Sequence, residues 1–125
     1  MKPLLFFALC AIAHAAPSAS FFRALHQVET GGRLGAIKGD NGAALGPLQI
    51  HRAYWRDSGV AGRYEDCAGL AYSQRVVAAY LKRHAPRTWA KGDCFTLARI
   101  HNGGLHGDRK TATIHYANKV ISKIK

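Results

Sequence analysis

Glycine and proline break this 125-residue chain at short intervals, and that punctuation restricts its fold more than any other feature. Gly31-Gly32, Asn41-Gly42, Ser58-Gly59, Pro86 and Gly103-Gly104 divide it into pieces that each hold one short element. Within the pieces, apolar residues recur mostly at helical spacing. Ser20 precedes Phe21, Phe22, Leu25 and Val28, so a first helix is expected to end at about Glu29 or Thr30, before the glycine pair. The segment from Leu34 to Leu45 contains Gly39-Asp40-Asn41-Gly42, a tight-turn signal that predicts a short β-hairpin with Asp40 near its tip. Pro47 fits the first turn of a second helix through Leu48, Ile50, Tyr54 and Trp55. A third is expected from near Asp66 to His84, carrying Leu70, Val76, Val77, Tyr80 and Leu81. Asp93 reads as the N-cap of a fourth, which bears Leu97 and Ile100. Ile114, Ala117, Val120 and Ile121 define a last one. The expected fold is α+β, mainly α, with about five helices and one small hairpin.

Residues 1–16 have the layout of a secretory signal peptide. Met1-Lys2-Pro3 gives a positive start, Leu4 to Ala13 is nearly all apolar, and Ala13 and Ala15 are small residues ahead of Pro17. The apolar run is too short to span a bilayer, and Leu9 directly before Cys10 argues against a lipoprotein signal. Cleavage after Ala15 or Ala16 would leave residues 17–125 as one domain, secreted or periplasmic and expected to act as a monomer. Lysine and arginine total 18 against 7 acidic residues, a formal +11 that becomes +10 without Lys2. Such a field draws a protein toward polyanions. For an exported chain these are the anionic surfaces of bacteria, and nucleic acid is not expected as a physiological target. Cys67 and Cys94 remain after cleavage. An even pair in an exported chain suggests one disulfide, worth about 3 kcal/mol by loop closure; two unpaired buried thiols are the alternative.

Carboxyl groups are scarce enough to be considered singly. Asp57, Asp66, Asp93 and Asp108 lie beside helix-end or loop signals and have capping or surface explanations. Glu65 adjoins Asp66 at what reads as an exposed helix start. Glu29 differs, because it follows Val28 on an apolar helix and precedes a glycine turn. Its carboxyl can face a cleft between helix and hairpin, although a solvated helix-end glutamate is the plain alternative. A carboxylate at a helix C-terminus is mildly unfavourable for the helix dipole, so structure alone gives little reason for it. Asp40 taken alone is better explained by turn chemistry, and gains weight if the hairpin folds back toward Glu29. His101-Asn102-Gly103-Gly104 could hydrogen-bond a sugar or its N-acetyl group, and fits a helix C-cap equally well. The histidines show no metal-ligand spacing, so neither a metal nor a cofactor is expected.

Taken in order, these segments are similar to a known family. Val28-Glu29-Thr30-Gly31-Gly32 followed by Gly46-Pro47-Leu48-Gln49-Ile50 resembles the lysozyme-like superfamily shared with lytic transglycosylases. With Ala53-Tyr54-Trp55 and Ala98-Arg99-Ile100-His101-Asn102-Gly103-Gly104, the chain resembles invertebrate-type (destabilase-like) lysozymes over about residues 21–120. The resemblance implies that Glu29 is the catalytic acid and Asp40 the second carboxylate. It also implies that Gln49, Tyr54, His101, Asn102 and Gly103 line the sugar-binding cleft. The animal proteins are rich in cysteine and this chain is not; its hairpin is also about one residue shorter. The implied activity is hydrolysis of the β-1,4 bond between N-acetylmuramic acid and N-acetylglucosamine in peptidoglycan glycan strands. A lytic transglycosylase using Glu29 alone and a non-enzymatic cationic antibacterial protein are the other readings.

Overall fold

The computed structural model describes residues 16–125. The expected signal segment, residues 1–16, lies outside them but for Ala16. The architecture is the α+β, mainly α one that the sequence predicts. Among the described residues there are six α-helices: α1 (Ala19–Thr30), α2 (Arg52–Ser58), α3 (Leu70–His84), α4 (Pro86–Lys91), α5 (Cys94–Gly103) and α6 (Ala112–Lys123). Three two-residue strands, β1 (Lys38–Gly39), β2 (Ala44–Leu45) and β3 (Ile50–His51), form an antiparallel sheet in the order β1-β2-β3. Lys38 pairs with Leu45 and Gly39 with Ala44; across the other edge, Ala44 pairs with His51 and Leu45 with Ile50.

The helices end where local chemistry stops them. Gly31 takes the left-handed conformation (φ 66°), and its N–H donates back to Gln27 O, with Gly32 N donating to His26 O. That is the reciprocal pattern by which glycine closes a helix. Asp93 caps α5 by accepting from the Thr96 N–H, as the sequence predicts. Pro86, read from sequence only as a stop, also starts α4, because proline suits the first helical position. Phe21 and Leu25 of α1, Val76 and Leu81 of α3, Leu97 of α5 and Val120 of α6 are fully buried together with Leu48. Each such side chain contributes about 2 kcal/mol by leaving water. No helix among the described residues is long and apolar enough to cross a membrane.

The second helix starts later than its sequence suggests. Pro47 lies in a tight turn closed by Gln49 N donating to Gly46 O at 3.0 Å. Gln49 has φ 54°, which no right-handed helix can contain. Ile50 and His51 therefore extend the hairpin into a third strand, and α2 begins at Arg52. This turn is fixed from two sides. Thr30 Oγ1, at the end of α1, donates to Pro47 O at 2.9 Å. Gly46 (φ 84°) lies so close to the Cys67 carbonyl that a Cβ would come within 1.8 Å of its oxygen. Gly46→Ala is therefore expected to cost roughly 2–4 kcal/mol, from backbone strain plus overpacking. Urea denaturation of the purified variant would show it as a lowered midpoint.

Cys67 and Cys94 are both free thiols, so the expected bridge between them is not formed. Cys67 is buried on the 3₁₀ turn Tyr64–Ala68, which packs on α3 and β2, whereas Cys94 opens α5. Burial, with lesser contributions from Asp66 and Glu65, pushes the Cys67 thiol up to about 11, and burial raises that of Cys94 as well. Both stay protonated near neutral pH, which slows the thiolate chemistry that disulfide formation requires.

Candidate active site

Glu29 occupies the last turn of α1, with 18% of its side chain exposed. Two donors hold one oxygen of its carboxyl. His101 Nε2, from α5, and the Tyr116 hydroxyl, from α6, each lie 3.3 Å from Oε2. Oε1 has no hydrogen-bond partner among the described residues. Behind this contact the His101 ring is almost completely buried, and its Nδ1 lies 2.9 Å from the Tyr54 hydroxyl. Tyr54 in turn stacks on Tyr80 with ring centroids 3.7 Å apart. Burial raises the Tyr54 phenol well above its usual range, helped by Tyr80 and Glu29. Tyr116 is raised by burial, by the Glu29 charge and by the hydrogen bond between them. Both phenols therefore keep their protons and act as donors. With Tyr54 donating to Nδ1, the imidazole proton sits on Nε2 and points to Glu29.

The hairpin supplies the opposite wall. Asp40 and Asn41 adopt positive φ (49° and 55°) at the tip, a conformation that Asp and Asn tolerate better than most side chains. Asp40 Oδ2 lies 2.8 Å from His51 Nε2, a hydrogen-bonded pair whose members are 71% and 51% exposed. Gly39 leaves room for the Gln49 side chain, since a Cβ there would fall 1.8 Å from Gln49 Oε1. Gln49 spends its amide donors on Ile37 O and Gly46 O, which braces the hairpin and leaves its carbonyl oxygen available.

Glu29, Asp40, Gln49, Tyr54, His101 and Asn102 thus line one small cleft of about 80 Å³, together with His51. A wider depression of about 270 Å³ shares Tyr54, His51, His101 and Asn102 and reaches Gly104. Both carboxylates that the sequence singled out are in the cleft, on opposing elements. Gly103 is not among its lining residues. Its backbone packs against α6, where a Cβ would meet Thr113 Cγ2 at 2.6 Å, and its carbonyl accepts from Lys110 Nζ. Tyr54 and His101 touch the cleft, but their polar atoms are engaged behind Glu29.

Tyr116 and His51 are the residues that sequence reasoning missed. Tyr116 lies on the α6 face that carries Thr113, Ala117 and Val120, all buried. A polar side chain at helical spacing within a buried stripe was the available signal. No cluster of histidine, cysteine and carboxylate side chains among the described residues could hold a metal ion.

The family model described as Destabilase matches residues 19–123, which carry the whole of this cleft. The chain belongs to the Destabilase family. Among its relatives, Lysozyme 1 of Crassostrea virginica is 41% identical over 101 residues, which are 78% of this chain and 55% of that protein. A lysozyme of Meretrix lusoria is 37% identical over 97 residues, 75% of this chain and 80% of the other. The chain therefore spans about half the length of the Crassostrea relative and most of the Meretrix one. The crystal structure of Tapes japonica lysozyme aligns with a TM-score of 0.73 at 29% identity, covering 85% of this chain and 92% of that one. The Meretrix lusoria lysozyme in complex with Aeromonas hydrophila PliI gives 0.72 at 31% identity, covering 85% and 89%. Proteins named as lysozymes thus share the fold of this chain and are similar to it in sequence.

Proposed function

We propose that the protein is an exported muramidase that hydrolyses the β-1,4 bond between N-acetylmuramic acid and N-acetylglucosamine in peptidoglycan. The observation that carries this reading is the asymmetric grip on Glu29, with Asp40 across the same cleft. Two donors on Oε2 leave Oε1 as the oxygen that carries the acid proton. Glu29 protonates the leaving glycosidic oxygen from there, and His101 and Tyr116 then stabilise the carboxylate that remains. Asp40, on the hairpin, stabilises the cationic transition state or acts as nucleophile or base. His51 holds it in position. Asn102 and the free carbonyl of Gln49 are placed to bind sugar hydroxyl and N-acetyl groups. The names of the relatives point to the same activity, and the +10 charge of the mature chain favours encounter with anionic walls.

Removing the Tyr116 hydroxyl tests the grip on Oε2. Tyr116→Phe is expected to lower kcat roughly tenfold, the worth of one hydrogen bond to a charged group, with KM unchanged. Steady-state kinetics on a soluble peptidoglycan fragment, beside a melting curve, would check it.

The reading as a whole is tested by purified mature protein acting on a suspension of bacterial walls. Clearing is expected, with products that mass spectrometry shows to carry hydrated reducing ends. Products with 1,6-anhydro ends would replace hydrolysis by transglycosylation. Intact glycan strands would leave a protein that acts by charge alone.

A further inference from the structure

A second cavity, of about 310 Å³, lies against the hairpin, and neither carboxylate of the proposed mechanism takes part in it. Side chains alternate across a sheet. Gly39, Ala44 and His51 pair in one row, where Gly39 abuts Gln49 and Ala44 touches the cavity. Lys38, Leu45 and Ile50 form the opposite row. Ala36, Leu45 and the Tyr64 ring give the cavity an apolar lining, with Lys38, Arg52 and Glu65 as its charged groups. The Tyr64 ring is anchored by its hydroxyl, which donates to Ile50 O at 2.6 Å, and the Arg52 guanidinium lies 4.3 Å above that ring. Neither Lys38 nor Arg52 has a carboxylate within salt-bridge distance among the described residues. Glu65 is drawn toward Arg63, at 3.5 Å. The cavity thus joins an apolar lining to two cations without carboxylate partners among the described residues and one anion.

Its position relates it to the cleft. Lys38 is two residues before Asp40 and Arg52 is the residue after His51, so cavity and cleft are both built on the hairpin and the start of α2. Gly42 lines the cavity at the tip, and nothing lies within 4 Å of where its Cβ would be. The tip is therefore open at that point. We infer that this cavity binds the stem peptide borne by N-acetylmuramic acid, an inference that rests on the muramidase reading. The stem combines a small apolar residue, free carboxylates and the amine of a diamino acid. Lys38 and Arg52 take the carboxylates, Glu65 the amine, and the apolar lining the methyl group.

The test compares two substrates made from one wall: intact peptidoglycan, and the same glycan stripped of its stems by an amidase. Lys38→Ala/Arg52→Gln is expected to raise KM for the intact wall about tenfold and to leave cleavage of the stripped glycan unchanged, which also reports a folded enzyme. Lys123→Ala/Lys125→Ala, which removes the same charge from a groove between α1 and the C-terminus, serves as the control for general attraction. In parallel, the free tripeptide L-alanyl-γ-D-glutamyl-diaminopimelate is titrated into the wild-type protein and followed by NMR. Shifts are expected at Lys38, Leu45, Arg52 and Tyr64. An equal loss on both substrates, no loss on either, an equal loss in the control variant or shifts outside the cavity would each overturn the inference. Failure of the wild-type protein to cut either substrate would count instead against the muramidase reading, and the titration would still decide the cavity.

Discussion

Glu29→Gln is expected to lower glycan cleavage by about three orders of magnitude, the middle of the range for loss of a general acid. Glutamine has nearly the same shape and can still accept the Tyr116 hydrogen bond that fixes Oε2. It has no proton to give to a leaving oxygen. The side chain is only partly buried and sits outside the main core, so the melting temperature should change little. Turnover of a soluble peptidoglycan fragment and a thermal melt, measured side by side, separate chemistry from folding. A variant that cleared walls at the wild-type rate would sink catalysis by Glu29. Sensitivity of that residual clearing to added salt would then point to binding by charge, which screening weakens.

Asp40→Asn is expected to cost about a hundredfold or more in kcat, the typical loss when one electrostatic stabiliser of a transition state is removed. The substitution keeps the left-handed tip conformation, because Asn adopts it as readily as Asp. It breaks an exposed pair with His51 that is worth less than about 1 kcal/mol to the fold. A large kinetic loss without a stability loss would thus assign Asp40 to the reaction. Retention of most activity, with anhydro products, would instead identify a one-carboxylate mechanism centred on Glu29.

How much of this was legible in the sequence varies with the kind of signal. Helix ends marked by glycine or by a capping side chain, at Gly31, Asp93 and Gly103-Gly104, are strictly local and were read correctly. Pro47 misled because proline serves a helix start and a tight turn equally well; the positive φ of Gln49, which decides between them, depends on contacts from Thr30 and the Cys67 segment. On α6, Ile114 and Ile121 looked like core residues yet are partly exposed, while Thr113 faces inward with Ala117 and Val120. Hydrophobicity alone found Ala117 and Val120 but took Ile114 for Thr113 and added Ile121, and Tyr116 went unnoticed. Glu29 and Asp40 could be chosen because carboxylates are few. The grip on Oε2 could not, since it joins residues 72 and 87 positions apart.

That separation has a bearing on when the molecule becomes competent. Glu29 belongs to the first helix and Tyr116 to the last, with His101 on the helix before it. A nascent chain that has emerged as far as α4 already contains both carboxylates but neither of the donors that orient Glu29. The Glu29 carboxyl is oriented only when the two ends of the domain close on each other.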